Sequence, residues 1–409
     1  MRHNAVGLYI SIPFCRSKCT YCNFASGVFP AADHARYVDR LIEDMGSAPE
    51  WAAGIGVDLP RTADTVYLGG GTPSLLSPAL ILKLFASIRA QFLLAQDAEI
   101  TVECAPGQLP QPTLEALAEA GVNRISLGVQ SFIDSEAHAS GRLHSRDIVL
   151  DDLCRIRAAG ILNINLDLIA GLAGQTLAAW NESLAVLCST GVPHASVYML
   201  EVDQDSRLGR ELLSGGVRYR ADLVPSDDAI VRMYETATER LAAAGLSQYE
   251  ISNFAGPGLE SRHNLRYWHR RPYLGLGLDA STALYSGASD PAACDLVRAT
   301  TTADLKAYLE KADPPETEHL DLARRHEEAW FLGLRLNAGV SPAELAEEFG
   351  PALAAPALEA AARLIADGLL ESSGPRIRLT PRGRILSNEV FEQFLDLQPD
   401  AAKSLQPAL

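Results

Sequence analysis

The chain has 409 residues, is 47% hydrophobic and 21% charged, and carries a formal net charge of −16. That length predicts two or three domains, the composition argues against extensive disorder, and the acidic balance argues against a nucleic-acid surface spread over the whole molecule. No uncharged apolar run reaches the ~20 residues of a membrane span, so stable membrane insertion is not expected. The N-terminus has no apolar segment of signal-peptide length. Seven cysteines, three of them clustered, fit a reducing cytoplasm better than a disulfide framework.

Six strand-like runs come first: Leu8–Ile12, Thr65–Leu68, Glu99–Glu103, Arg124–Val129, Asn163–Ile169 and Ala195–Leu200. Most are apolar runs or alternations of strand length. Helical patterns between them cover Asp33–Met45, Pro78–Phe92, Pro112–Ala120, Arg146–Ala159 and Thr176–Ser189. Asp33 is placed as an N-cap and Pro112 as an N1 proline, and Gly121, Gly160 and Gly191 as C′ glycines. Strand–helix alternation predicts an α/β fold with a parallel sheet and crossover helices. Six units, rather than eight, predict an incomplete (β/α)6 barrel, open on one side. Chemistry in such barrels gathers at the C-terminal ends of the strands.

The first strand leads into Cys15-Arg16-Ser17-Lys18-Cys19-Thr20-Tyr21-Cys22. Three thiolates on one loop can hold three irons of a [4Fe–4S] cubane and leave the fourth iron open, whereas a cluster used only for electron transfer usually takes four cysteines. The same spacing also suits core thiols on one helix face or three zinc ligands lacking a histidine. The second strand ends in Gly69-Gly70-Gly71-Thr72-Pro73, the third at Glu103, the fourth in Gln130-Ser131-Phe132, and the fifth carries Asp167. Glycines without Cβ let a ligand touch backbone, the three polar side chains can hydrogen-bond a small molecule, and Arg142 adds a fork donor suited to a carboxylate. Singly, each has a plainer explanation: a tight turn, a satisfied core acid, a surface ion pair. Their convergence on the rim that carries the cysteine loop favours a site.

With these residues goes a resemblance. Tyr9, Ile12-Pro13-Phe14-Cys15, Gly69–Pro73, Asn123–Phe132 and Asn165–Ile169 resemble the oxygen-independent coproporphyrinogen III oxidase family of the radical S-adenosylmethionine (SAM) superfamily, and within it the HemW-type heme chaperones. The likeness runs from about Gly7 to Phe394. It implies a radical-SAM barrel, with Cys15, Cys19 and Cys22 on a [4Fe–4S] cluster. It also implies a SAM site lined by Tyr9, Gly70, Gly71, Thr72, Glu103, Gln130, Arg142 and Asp167, and cleavage of SAM in members that turn over. The oxidases continue the cysteine motif as C-x-C and carry a longer N-terminal extension; here Asn23-Phe24 follows Cys22 and Tyr9 stands near the start. Glu250-Ile251-Ser252-Asn253-Phe254 and His263-Asn264-Leu265-Arg266-Tyr267-Trp268 match the chaperones, whose H-N-x-x-Y-W stretch is proposed to hold heme. The resemblance therefore implies heme as ligand, with His263 on its iron, and transfer to an apoprotein acceptor. A respiratory acceptor and a homodimer are among the partners it allows. The runner-up is the oxidase reaction, oxidative decarboxylation of two propionates of coproporphyrinogen III.

Three departures stand out. Asn23 replaces the usual aspartate, Glu103-Cys104-Ala105-Pro106 lacks the family's asparagine, and Ser281 replaces a histidine in Gly275–Thr282, beside an added acid, Asp279. Cys104, Cys154, Cys188 and Cys294 read as ordinary buried or semi-buried thiols.

The barrel is assigned to residues 1–205 and a mixed extension closing it to 206–312, with an amphipathic helix over Asp227–Ala244. His263, Tyr267 and Trp268 share a face if helical. Residues 313–398 read as a winged-helix-like module and 399–409 as a mobile tail. Ser341-Pro342-Ala343-Glu344 starts one helix, Ala357–Gly368 forms a second, and Leu369–Glu371 with Arg376–Pro381 forms a wing. Acids outnumber bases across the module, so a lid or partner-docking role is expected rather than DNA binding.

Overall fold

The computed structural model describes residues 4–286 and 296–397. Cys294 and the tail from 399 lie outside them. Six parallel strands, β1 (Val6–Ile12), β2 (Thr62–Gly70), β3 (Leu93–Cys104), β4 (Arg124–Gln130), β5 (Asn163–Ala170) and β6 (His194–Met199), pair in sequence order. Their side chains alternate in kind. Leu8, Ile10, Val66, Leu68, Val102, Ile125, Leu127, Leu166 and Val197 join the main apolar core against the crossover helices. The intervening Tyr9, Thr65, Tyr67, Glu103, Ser126, Asn165, Asp167 and Ser196 are polar and face the barrel interior, as the two-residue period of a strand requires.

The crossovers are α1 (Ala31–Gly54), α2 (Pro78–Gln91), α3 (Gln111–Glu119), α4 (Asp134–Ala139), α5 (Arg146–Ala158) and α6 (Leu177–Thr190). Three details differ from the sequence expectation. Pro30, not Asp33, is the N-cap of α1, which puts Asp33 in the first turn, where its charge favours the helix dipole. The same helix runs nine residues past Met45, through an exposed Pro49, because Ala48 and Ala52 still bury against the core. Pro112 takes the second helical position, since α3 opens at Gln111. Gly121, Gly160 and Gly191 have φ of +80°, +87° and +63°, the left-handed geometry of helix stops.

Beyond the barrel come α7 (Arg207–Ser214), α8 (Asp227–Ala243), β7 (Ser247–Gln248), β8 (Asn253–Ala255), α9 (Arg262–Trp268), β9 (Tyr273–Leu276), β10 (Ser281–Tyr285) and β11 (Leu296–Thr300). They are followed by α10 (Leu305–Glu310), β12 (Glu316–Leu320), α11 (Leu322–Leu334), α12 (Pro342–Phe349), α13 (Pro351–Ala366), β13 (Leu370–Ser373) and β14 (Arg376–Leu379). Strand β9 adds parallel to β1, and β10, β11 and β12 continue antiparallel. On the other side β8 and β7 extend β6. Among the described residues the outer strands β12 and β7 do not pair, so the barrel is incomplete.

A separate apolar cluster unites α11, α12, α13 and the β13–β14 hairpin, with Trp330 stacked on Phe394 at 4.7 Å. Ser341 caps α12 as expected, while α13 starts at Pro351 rather than Ala357. No helix among the described residues is long and apolar enough to cross a membrane.

Candidate functional site

The cysteine loop is held from three sides. The Cys15 N–H donates to Gly27 O at 2.8 Å, Thr20 N–H to Ser140 O at 3.0 Å, and Lys18 Nζ to Phe24 O and Ser26 O at 2.7 and 2.9 Å. The second strand's glycine turn packs directly beneath it. Gly71 N–H donates to Ile12 O at 2.9 Å and Thr72 N–H to Phe14 O at 2.8 Å. A Cβ on Gly71 would meet Ile12 O at 2.7 Å and Phe14 O at 2.8 Å, which explains why only glycine fits there. Gly141, at φ +91°, backs the loop from the far side, with a Cβ position 3.2 Å from Cys19 Cα. Cys15, Cys19 and Cys22 are all half-buried and reduced. Among the described residues, no group of three or more metal-binding side chains closes on a single ion. A cubane asks for something different, since each thiolate binds its own iron.

Asn23 donates to the Asp203 carboxylate at 2.9 Å. An aspartate there would face Asp203 with like charge. Phe24, at the position where the oxidases carry a cysteine, is 62% exposed.

The structure brings Tyr9, Gly70, Gly71, Thr72, Glu103, Gln130, Arg142 and Asp167 to the strand ends beside this loop or the barrel wall leading to it. Arg142 lies over Gly128, whose Cβ position is only 2.2 Å from the guanidinium. Its Nε is buried without a partner. Burial disfavours the Arg142 charge, but Tyr21, Cys19, Asp167 and Cys15 outweigh it and hold the group cationic. Gln130 adopts φ +68°, a strained conformation for a non-glycine residue and one that recurs at functional sites. Burial pushes the Glu103 carboxyl up to about 7, against the opposing bonds from Tyr67 and the Gly70 N–H. Asp167 is also pushed up by burial, while Ser196, Asn165 and Ser126 oppose the shift.

Sequence reading missed the network below this rim. Tyr67 OH donates to Glu103 at 2.8 Å, Asn165 to Ser126 at 2.8 Å and to Ser196 at 3.0 Å, and His194 meets Asn165 Oδ1 at 2.6 Å. The signal was the polar residue at every second strand position. Ser281 ends exposed on β10, away from this network, and Cys104 is buried with its thiol pushed up to about 12 by desolvation. Cys154 is exposed on α5, contrary to expectation, because its buried neighbour Leu153 takes the inward face.

His263 lies elsewhere. Helix α9 caps the N-terminal side of the sheet, where Glu99 accepts from the N–H groups of Arg262 and His263 at 3.0 and 2.9 Å. The His263 ring is 1% exposed, with Nδ1 2.9 Å from Thr65 Oγ1 and Nε2 2.8 Å from Tyr267 OH. Thr65 is five residues before Gly70 on β2, about 16 Å along a strand. The His263–Trp268 stretch is therefore set back from the cysteine loop along the strands, and no nitrogen of His263 is open to an iron in this state.

The family model of the Radical SAM superfamily matches residues 9–187, and that of the HemN C-terminal domain matches 320–386. Heme chaperone HemW of Lactococcus lactis is 34% identical over 391 residues, 95% of this chain and 96% of its own. Heme chaperone HemW of Bacillus subtilis is 35% identical over 393 residues, 95% and 98% of the two chains. This chain belongs to the HemW family of radical SAM proteins. A solved structure of coproporphyrinogen III oxidase (HemN) from Escherichia coli superposes with a TM-score of 0.80 at 22% identity, covering 96% of this chain and 90% of that one, and shows that the fold is shared.

Radical SAM membership implies a [4Fe–4S] cluster and SAM in this HemW-family chain. Its residues fit both groups. Three thiols share one braced loop, a glycine turn exposes backbone beside them, and the unpartnered Arg142 Nε awaits an acceptor.

Proposed function

We propose that this protein is a heme chaperone: it binds heme, a [4Fe–4S] cluster and SAM, and passes heme to an apoprotein acceptor. The observation that carries this reading is identity above 30% along 95% of the chain with proteins named heme chaperone HemW. Cys15, Cys19 and Cys22 would hold the cluster. The Gly70–Thr72 turn, Tyr9, Gln130 and Asp167 would line the SAM site, with Arg142 on the SAM carboxylate and Glu103 accepting from its amino group. When bound, the cluster supplies an open iron for SAM and a low-potential electron. The protein positions SAM and excludes water. The reading extends to a cytoplasmic location, a respiratory acceptor and a homodimer, the last checked by solution mass with and without heme.

The decisive experiment is anaerobic. Cluster-loaded protein receives SAM, a low-potential reductant and coproporphyrinogen III. No protoporphyrinogen over many turnovers, with heme still bound on titration, is the expected result; catalytic product formation makes the protein an oxidase. Iron ligation by His263 belongs to this reading only if Tyr267 leaves Nε2 and α9 lifts from Glu99. Heme titration of His263→Ala checks it, and an unchanged spectrum removes His263 as ligand.

Glu103 gives the proposed SAM site a pH dependence. Its folded pKa of about 7 lies above the unfolded carboxyl value, so the fold holds an extra proton between the two. Stability from this group falls as pH rises through that window and levels above it. SAM affinity should run the other way, rising by up to about tenfold per pH unit below the folded value, because the ionised carboxylate is the form that accepts from the SAM amino group. Calorimetric titration from pH 6 to 8 should show this rise, and Glu103→Gln should flatten it.

A further inference from the structure

One row of the sheet turns three polar side chains into the barrel and leaves each of them short of a bond. Thr101 on β3 is in register with Arg124 on β4, and Arg124 with Asn163 on β5. Their strand neighbours Ile100, Val102, Ile125 and Ile164 pack outward in the apolar core, so the three face the interior. Thr101 Oγ1, Arg124 Nε and Asn163 Oδ1 are buried without a hydrogen-bond partner. Arg124 as a whole is 2% exposed.

The arginine is the costly member. A guanidinium cannot shed its proton to escape burial, and a buried charge without a counter-charge is strongly destabilising. Among the described residues Arg124 enters no hydrogen bond or salt bridge through its side chain. The inward-facing carboxylates of β3 and β5 are engaged elsewhere. Glu99 accepts from the N–H groups of Arg262 and His263, Glu103 from Tyr67 at 2.8 Å, and Asp167 from Ser126 and Asn165 at 3.1 and 2.6 Å. Burial also pushes the Glu103 and Asp167 carboxyls up, which favours their neutral forms. The imidazoles of His194 and His263 are held neutral by burial first and the Arg124 charge second.

What the interior lacks is one negative charge, in a space closed to large ligands. Thr101, His194 and His263 are as buried as Arg124, so an organic acid does not reach the guanidinium unless the barrel floor opens. Water would complete hydrogen bonds without supplying charge, and a dianion would exceed the charge to be met. The Thr101 hydroxyl can donate, and the Asn163 amide presents its NH2 when turned about its last bond. Neutral donors on either side of a guanidinium make a cradle for a monoanion.

We propose that Arg124, with Thr101 and Asn163 on the flanking strands, holds a small inorganic monoanion of chloride size inside the barrel. The site requires neither heme nor SAM. It lies one inward position below Ser126, about 7 Å down the strand, and so beneath the Ser126–Asp167 bond.

The test uses cluster-loaded protein at constant ionic strength, with chloride exchanged for gluconate, which is too bulky for the site. An anion bound only by the folded state stabilises it by mass action. The parent's melting temperature should therefore rise by about 1–2 °C for each tenfold increase in chloride above its dissociation constant. Bromide should replace chloride and give an anomalous diffraction peak beside Arg124. Arg124→Met replaces the charge with an apolar chain and should remove the halide dependence, as buried ions can be exchanged for packed apolar groups without loss of fold. Thr101→Val, nearly unchanged in shape, should keep the fold and need more chloride for the same rise. Coincident melting curves of the parent in chloride and gluconate leave only water at the site and overturn the proposal. So does a halide dependence that persists undiminished in Arg124→Met, or a bromide-soaked parent crystal without a peak beside Arg124.

Discussion

Cys19→Ala is expected to yield a colourless protein that no longer binds SAM. Each of the three thiolates would hold a different iron, so none can substitute for another, and a cubane left with two protein ligands is lost in solution. The loop itself should survive, because its bracing runs through backbone: Cys15 N–H to Gly27 O, Thr20 N–H to Ser140 O, and Gly71 and Thr72 N–H to Ile12 and Phe14 O. Cys15→Ala and Cys22→Ala should behave the same way, with melting temperatures of the cluster-free forms near that of the cluster-free parent. Cys104→Ala is the control. Its thiol is buried and pushed up to about 12, so removing it should leave iron content and absorbance around ~400 nm unchanged. Gly71→Ala should give a partial loss by a different route, because the added methyl forces the Ile12–Phe14 backbone out of place. Iron and sulfide per chain, with the visible spectrum, decide the matter. Full iron content in all three single cysteine variants would sink the assignment.

Much of this architecture was legible because it rests on local patterns. The apolar positions of Leu8, Ile10 and Ile12 mark β1, and the glycines at 121, 160 and 191 mark helix ends by the φ values only they adopt easily. The cysteine spacing is a local pattern as well, since three ligands on one loop need no tertiary information to be seen together. What escaped is what the barrel brings together across distance. Tyr67 and Glu103 are 36 residues apart, and nothing in either segment announces their hydrogen bond. Gly128 reads as a strand glycine, yet it is there because the Arg142 guanidinium occupies the space of its side chain. His263 looked free to ligate iron because sequence gives a residue type and not its partners; Thr65 and Tyr267 take both nitrogens. The overrun of α1 past Met45 shows the same limit. Pro49 argues locally for a stop, and burial of Ala48 and Ala52 against the core overrides it.

The Gly128–Arg142 contact leads to the second large effect. Arg142→Ala should weaken SAM binding by about 100-fold or more, because two charge-assisted bonds to a carboxylate contribute at least ~1.5 kcal/mol each. Arg142→Lys should recover part of this: it restores a positive charge but not the fork that grips both oxygens. Gly128→Ala attacks the same interaction without touching the arginine. Its Cβ would sit 2.2 Å from Nη2 of Arg142 and 3.0 Å from Nε2 of Gln130, so both side chains must be displaced from the rim. Strand pairing should persist, since β4 keeps its backbone register with β3 and β5. The expected signature is therefore a large loss of SAM affinity with little change in melting temperature. Because a guanidinium does not titrate below pH 12, the Arg142→Ala loss should be the same at pH 6 and pH 8, unlike that of Glu103→Gln. Isothermal titration at the two pH values separates the roles. If Arg142→Ala binds SAM as tightly as the parent, the carboxylate is held elsewhere, and the cation over Gly128 serves only to balance Asp167 and the cysteine thiolates around it.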